Sequence, residues 1–275
     1  MKQITAIMLA ATLLVGMTFF AFKAYQNAKS HEEMSYIIVN KHNVTELSTN
    51  QLKKLGDIIS LGIYDGYDEV LKEQKKLIET QALFKQKAVH YTIYAMGVAV
   101  CLLLLYFVMT VQVFTVTVNL TALIALAGGL LMPIMMMSIY KDVQYLGEVV
   151  LAMESKGVLG SIAKLFENHD YVVGGALLLF SILLPLLKTL SMLFLALFIE
   201  NKSAHTVVQF FKMLGKWSMA DVFVVATFLV YLSGSKSETS RAEVQVGLYF
   251  FLAYVILSML ASLSADKMLQ ENKAG

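Results

Sequence analysis

In "LLLFSILLPLLKTLSMLF", Ser181, Pro185 and Lys188 sit inside a run of leucines and phenylalanines. In "GKWSMADVFVV", Ser218 and Asp221 open another apolar run directly behind Trp217. Ser181 and Lys188 are seven residues apart, two helical turns, so a helix sets them on one face. Lys188 also lies 13 residues before Asn201, about 20 Å along a helix, too far for a simple reach to an interface. A cation near the bilayer centre costs at least about 2.5 kcal/mol and faces a partner or a wet cavity. The chemistry this allows is a polar, ion-accessible passage between helices. The structural alternative is a snorkelling or structurally paired lysine.

Ser218 followed by Asp221 fits the [ST]-x-x-[DE] capping pattern, which satisfies orphan amides and sets an acid at the positive end of the helix dipole. Trp217 suits the interface between water and lipid. Cap and anchor explain the stretch, and pairing of Asp221 with Lys188 stays open beside them. The chain has two prolines, Pro133 in "GGLLMPIMMM" and Pro185, both in apolar runs. Each is expected to kink a span, because proline removes a donor and frees the carbonyl four residues earlier.

Other chemistry has no visible home. His31, His42, His90, His169 and His205 lack metal-ligand spacing, and a lone Cys101 cannot form a disulfide or a zinc ribbon within one chain. GxSxG, Walker A and HExxH are absent. The expectation is a protein that is not an enzyme and carries no metal or other cofactor. The net charge of +2, without a block of Lys or Arg, argues against nucleic acid. Met132 and Met135 to Met137 read as adaptable packing, and Gly128, Gly129, Gly174 and Gly175 as sites of close helix approach.

These residues have to be positioned by membrane helices. The sequence is 57% hydrophobic and 15% charged, against roughly 25% charged in soluble domains. Six apolar runs approach the ~20 residues of a spanning helix: 4–22, 91–111, 119–139, 172–199, 218–233 and 244–263. The first exceeds a signal-peptide core and reads as an uncleaved anchor. Residues 23–88 mix lysines and acids and read as a solvated, mostly helical segment. There Leu52, Leu55, Ile59 and Ile63 keep helical spacing, and Gly62 and Gly66 break the chain before a helix from about Tyr67.

Between Glu200 and Lys216 three lysines face one acid, whereas 141–170 has three lysines and five acids. The first loop is therefore expected in the cytoplasm and the second outside, with both termini cytoplasmic. The predicted fold is an all-α polytopic membrane bundle of about six transmembrane helices with a small helical extracytoplasmic segment. Its parts are an anchor (1–22), an outer segment (23–88), a second span (89–118), a four-span module (119–265) and a cytoplasmic tail (266–275).

In order and spacing, "GGLLMPIM", "GVLGSIAKLFENHDYVVGGALLLFSILLPLLK" and "GKWSMADVFVV" resemble the signatures of the paraquat-inducible protein A family. The family pattern falls on Pro133, Ser181, Pro185, Lys188, Gly215, Trp217, Ser218, Met219, Asp221, Val222 and Phe223. The resemblance implies an inner-membrane module of Gram-negative bacteria that works with periplasmic MCE-domain proteins to move lipids between membranes. Phospholipid or a similar amphiphile is the implied cargo, and a non-transporting scaffold or an envelope-stress protein is the alternative. Two features depart from larger members, the absence of cysteine-rich ribbons and the single module. The acidic terminal signature appears only as "SADK", Ser264 to Lys267.

Overall fold

The computed structural model describes residues 2–41, 66–143, 147–197 and 240–274. Helices α1 (Lys2–Lys41) and α2 (Gly66–Leu104) form an antiparallel hairpin. Its register is marked by Gln3 Nε2 donating to Thr110 Oγ1 (3.2 Å), by Phe20 against Tyr91 and Tyr94, and by Gln81 Nε2 donating to Ser35 Oγ (2.6 Å). The contact face is built from small residues. Ala21, Ala24, Ala28, His31, Ser35 and Ile38 are buried at alternating steps of three and four, as are Ala88, Thr92, Ala95, Ala99 and Leu102 on α2. A 3.5-residue repeat keeps one seam facing its partner, and alanine lets the two backbones approach closely. The helices therefore run unbroken through positions 22/23 and 88/89, where the sequence suggested a change from span to outer segment.

After a 3₁₀ turn (Leu105–Phe107) the chain reverses into α3 (Val111–Leu131). At 1.5 Å per residue its 21 residues measure about 31 Å, the thickness of a hydrocarbon core. Here the structure corrects the expected third span: the helix begins eight residues before Asn119 and ends at Leu131. Pro133 does not kink a span. It cannot donate an amide and disfavours the helical region for Met132, which is extended (φ −89°, ψ 152°), so the helix stops.

The apolar run Met135–Ile139 belongs to strand β1 (Met135–Val143), not to a membrane helix. β1 pairs antiparallel with β2 (Gly147–Lys156) on one side and with β3 (Ser240–Val244) on the other, giving the order β2-β1-β3. The stretch 141–170, expected as an acid-rich loop, thus contains most of a hairpin followed by amphipathic α4 (Val158–Glu167), which buries Val158 and Ile162.

Helix α5 (Tyr171–Leu178), a π turn (Leu179–Leu183) and α6 (Leu184–Leu197) make one continuous span, and α7 (Val246–Ala274) follows β3. Among the described residues five helices are long and apolar enough to cross a membrane: Gln3–Val39, Lys75–Phe107, Val111–Leu131, Tyr171–Leu197 and Val246–Met268. The expected span at 218–233, its flank Trp217, and the helical pattern at 52–63 lie outside the described residues. Two-thirds of α3 and over half of α7 are buried, against about a quarter or less of the other spans, so α3 and α7 are the central pair.

They run antiparallel. Thr115 Oγ1 and Ser264 Oγ share a hydrogen bond (2.6 Å) near one membrane face, and Gly128 and Gly129 meet Phe250 and Phe251 near the other. A Cβ on Gly129 would stand 2.9 Å from the backbone of Phe251, and one on Gly247 would stand 2.6 Å from the carbonyls of Met132 and Pro133. The Gly247 amide donates to Pro133 O (2.9 Å) and the Gln245 amide to Ile134 O (2.8 Å). The helix pair thereby passes directly into the β1–β3 ladder.

Gly129→Ala forces backbone apart, and the expected cost is about 2 kcal/mol, the middle of the range for overpacking. That cost should lower the thermal midpoint of the detergent-solubilised protein by several degrees. Gly16→Ala, where an added Cβ meets nothing within 4 Å, should leave the midpoint unchanged. Equal midpoints for the two variants would refute the close-approach argument.

Candidate functional site

Ser181, Pro185 and Thr189 recur at steps of four and are all buried, so they form the face that α5–α6 turns toward the bundle. Pro185 leaves the helix without one donor. The chain adapts just upstream, where Leu184 donates to Leu179 O, five residues back, in the π turn. Pro185 thus remains within a span, as the sequence suggested, and the irregularity beside it is a π turn.

The carbonyl of Pro185 accepts from Thr189 Oγ1 (2.9 Å) and from Tyr254 Oη of α7 (3.0 Å), and the two hydroxyls are 3.2 Å apart. Tyr254 is fully buried and Thr189 nearly so. This junction ties two spans together by polar groups where no water competes.

Lys188 is half-buried at the border of that face and is engaged by a neighbouring group. Its depth can be read from α7. Gln112 Nε2 donates to Ala196 O (2.9 Å), and Thr115, one turn along α3, meets Ser264. Ala196 and Ser264 therefore lie near the same face, and α6 runs parallel to α7. With Pro185 beside Tyr254, Lys188 lies level with about Leu257, the middle of the apolar window Val246–Met268. It is a midplane cation.

Further buried polar groups lie on α3 and α7. Asn119 Nδ2 bonds Thr115 O (2.8 Å), while Asn119 Oδ1 and Ser258 Oγ are buried without a partner among the described residues. The other hydroxyls of α3 are satisfied within the helix, Thr117 by Val113 O and Thr121 by Thr117 O. A polar seam therefore runs along the central helices past the level of Lys188. Unpaired buried acceptors and hydroxyls of this kind are where internal water collects.

Of the residues singled out from sequence, Ser181, Pro185 and Lys188 share one span, and Pro133 lies apart at the foot of α3, on the sheet. Ser218, Asp221 and Trp217 lie outside the described residues. Sequence reasoning missed Thr189 and Tyr254. A hydroxyl four residues after a proline was an available signal for Thr189, and nothing local marked Tyr254. Among the described residues no group of three or more His, Cys, Asp or Glu is placed to hold a metal ion.

Apolar spans, internally satisfied hydroxyls and a midplane lysine define a multi-pass, all-α helix-bundle membrane protein. A family profile described as Paraquat-inducible protein A matches residues 113–270, more than half of the chain, and the chain belongs to that family. Comparison with curated proteins and with solved structures returned no match. The matched region begins two residues into α3 and takes in the polar seam, whereas the α1–α2 hairpin precedes it.

Removing the tyrosine hydroxyl in Tyr254→Phe should cost about 0.5–1.5 kcal/mol, the usual net value of one hydrogen bond. Because Thr189 and Tyr254 share one acceptor and touch each other, Thr189→Val and Tyr254→Phe should combine non-additively by about 0.5 kcal/mol or more. A double-mutant cycle on thermal unfolding checks this, and strict additivity would show that the three groups do not act as one junction.

Proposed function

We propose that this protein is the inner-membrane component of an MCE-type intermembrane lipid transport system. It loads phospholipid-like molecules onto a periplasmic MCE-domain partner or receives them from it. The observation that carries this reading is the polar seam through the middle of the family-matched bundle, with Lys188 at the membrane midplane. A static anchor has no need of unpaired polar atoms at that depth, because each costs free energy in hydrocarbon.

The mechanism follows from two charges and a weak point. In this reading Lys188 and Asp221 would be a charge pair that controls opening, and the π turn before Pro185 lets α5–α6 flex as a headgroup passes. Proton uptake at Asp221 would release the pair. Both termini lie in the cytoplasm, so the sheet and the outer ends of α1 and α2 face the periplasm and the MCE partner. The protein makes and breaks no covalent bond in this cycle, and it uses no metal or other cofactor.

Lys188→Ala and Asp221→Ala should each reduce lipid delivery by about tenfold, the scale of a gating coupling of 1–3 kcal/mol. The measurement is the distribution of pulse-labelled phospholipid between inner and outer membranes. It requires cells in which each variant is made at normal level and still co-purifies with its MCE-domain protein. Unchanged distribution with partner capture intact would replace transport by the scaffold reading.

A further inference from the structure

A second feature lies outside the seam, where the α1–α2 hairpin leans against the start of α7. A cavity of about 670 Å³ opens there, within the range of 300–1,000 Å³ typical of ligand sites. Its two ends differ in chemistry. His31, Lys85 and Gln245 line one end, and Ile93, Gly97 and Val100 line the other. From Lys85 to Val100 is 15 residues of α2, about 22 Å. That is longer than half of a ~30 Å hydrocarbon core, so the chamber reaches from the sheet-side interface into the membrane.

One polar group in this chamber lacks a partner. Gln245 is 5% exposed, its backbone amide is used by Ile134, and its side-chain Nε2 donates to no group among the described residues. The neighbouring Lys85 is paired with Glu243 of β3, which tethers α2 to the sheet. An amide donor in such a place calls for an acceptor oxygen from a ligand, because an unmade buried hydrogen bond is costly.

The side of the chamber decides what that ligand is. Ile93 and Val100 line it and are 59% and 56% exposed at depths where the surroundings are lipid tails. The chamber thus opens sideways into the bilayer, where a molecule already dissolved in the membrane has access.

We infer that this chamber binds one acyl chain of a glycerophospholipid, with an ester or phosphate oxygen of its head accepting from Gln245 Nε2. As a holding place for cargo before or after passage, it rests on the transport reading above. Occupancy of the chamber does not. The site joins the two parts of the protein, since α2 supplies the apolar wall and the family-matched region supplies Gln245 and Tyr249.

The test uses the full chain in vesicles of phosphatidylethanolamine and phosphatidylglycerol. These carry a small fraction of phosphatidylethanolamine with a diazirine near the end of one acyl chain. After irradiation, adducts are mapped by mass spectrometry. Labelling should concentrate on residues 93–100 and exceed that on Val15 and Phe22 of α1, which are 71% and 54% exposed and serve as measures of ordinary surrounding lipid.

Gly97→Leu should abolish the excess by filling the chamber. A Cβ there meets nothing within 4 Å, so the variant is expected to fold with an unchanged thermal midpoint. Gln245→Leu should reduce the excess about fivefold, the scale of one lost hydrogen bond. Labelling at 93–100 no stronger than at Val15 and Phe22, or unaffected by both substitutions, overturns the inference. Delivery that depends on Lys188 without chamber labelling would retire the chamber alone, and chamber labelling with delivery indifferent to Lys188 would retire the transport reading alone.

Discussion

The close approach of α3 and α7 is the constraint on which the other elements depend. In a membrane, helices gain nothing by hiding apolar surface from each other, because lipid tails are equally apolar, so association rests on packing and on polar contacts. Gly128 and Gly129 supply the packing by leaving room for Phe250 and Phe251, and Gly247 brings the foot of α7 onto the carbonyl of Pro133. Since Gln245 and Gly247 continue the hydrogen bonding of β3, one alignment sets both helix spacing and sheet register. A shift of one residue between α3 and α7 would break the ladder as well as the glycine contacts.

That rigid pair explains how the bundle carries so many hydroxyls. Most bond back to the carbonyl one turn earlier, which costs little and leaves the helix outwardly apolar. Others cross between helices, Thr115 to Ser264 and Tyr254 to Pro185. The groups left over, Asn119 Oδ1 and Ser258 Oγ, lie on the same two helices. Polar groups in hydrocarbon gain modest energy from each contact, about 0.6 kcal/mol on average in one well-measured case, because the separated helices also find partners. The polar contacts are accordingly a weak glue, and the fixed spacing of the pair rests on the glycine contacts. The π turn before Pro185 adds compliance in the span that bears Lys188.

Much of this architecture was legible in the sequence, and the parts that were not share a cause. Apolar runs of the length of a bilayer pointed to membrane spans, and Ser181, Pro185 and Lys188 were read onto one span, where the structure places them. The run from Asn119 to Ile139 misled because apolarity alone does not tell a helix from a buried strand. Pro133 was a stop signal there, although the same residue type remains inside the span at Pro185. The difference is tertiary: at Pro133 the sheet is ready to take over the backbone hydrogen bonds, and at Pro185 a π turn and Tyr254 are. The alanine seam of α1 and α2 was readable at 3.5-residue spacing, but attention to bulky and charged residues passes over alanine. The Thr189–Tyr254 contact joins residues 65 apart, and no local pattern encodes it.

The hairpin in front of the family-matched region shares one hydrophobic core with the central helices. Its buried face is small and regular, so it adheres as a unit, and its contacts reach α3, β2 and α7. Because α1 and α2 are far longer than α3, they rise beyond the hydrocarbon on the side of the sheet, where the Lys85–Glu243 pair joins them to β3. Both partners are about half exposed, so the pair contributes at most about 1 kcal/mol and guides the hairpin more than it fastens it. The hairpin is fastened lower down, by alanine packing within it and by its contacts with α3. The cavity at Gln245 lies between this arm and the start of α7, so the packing of the hairpin there sets its width.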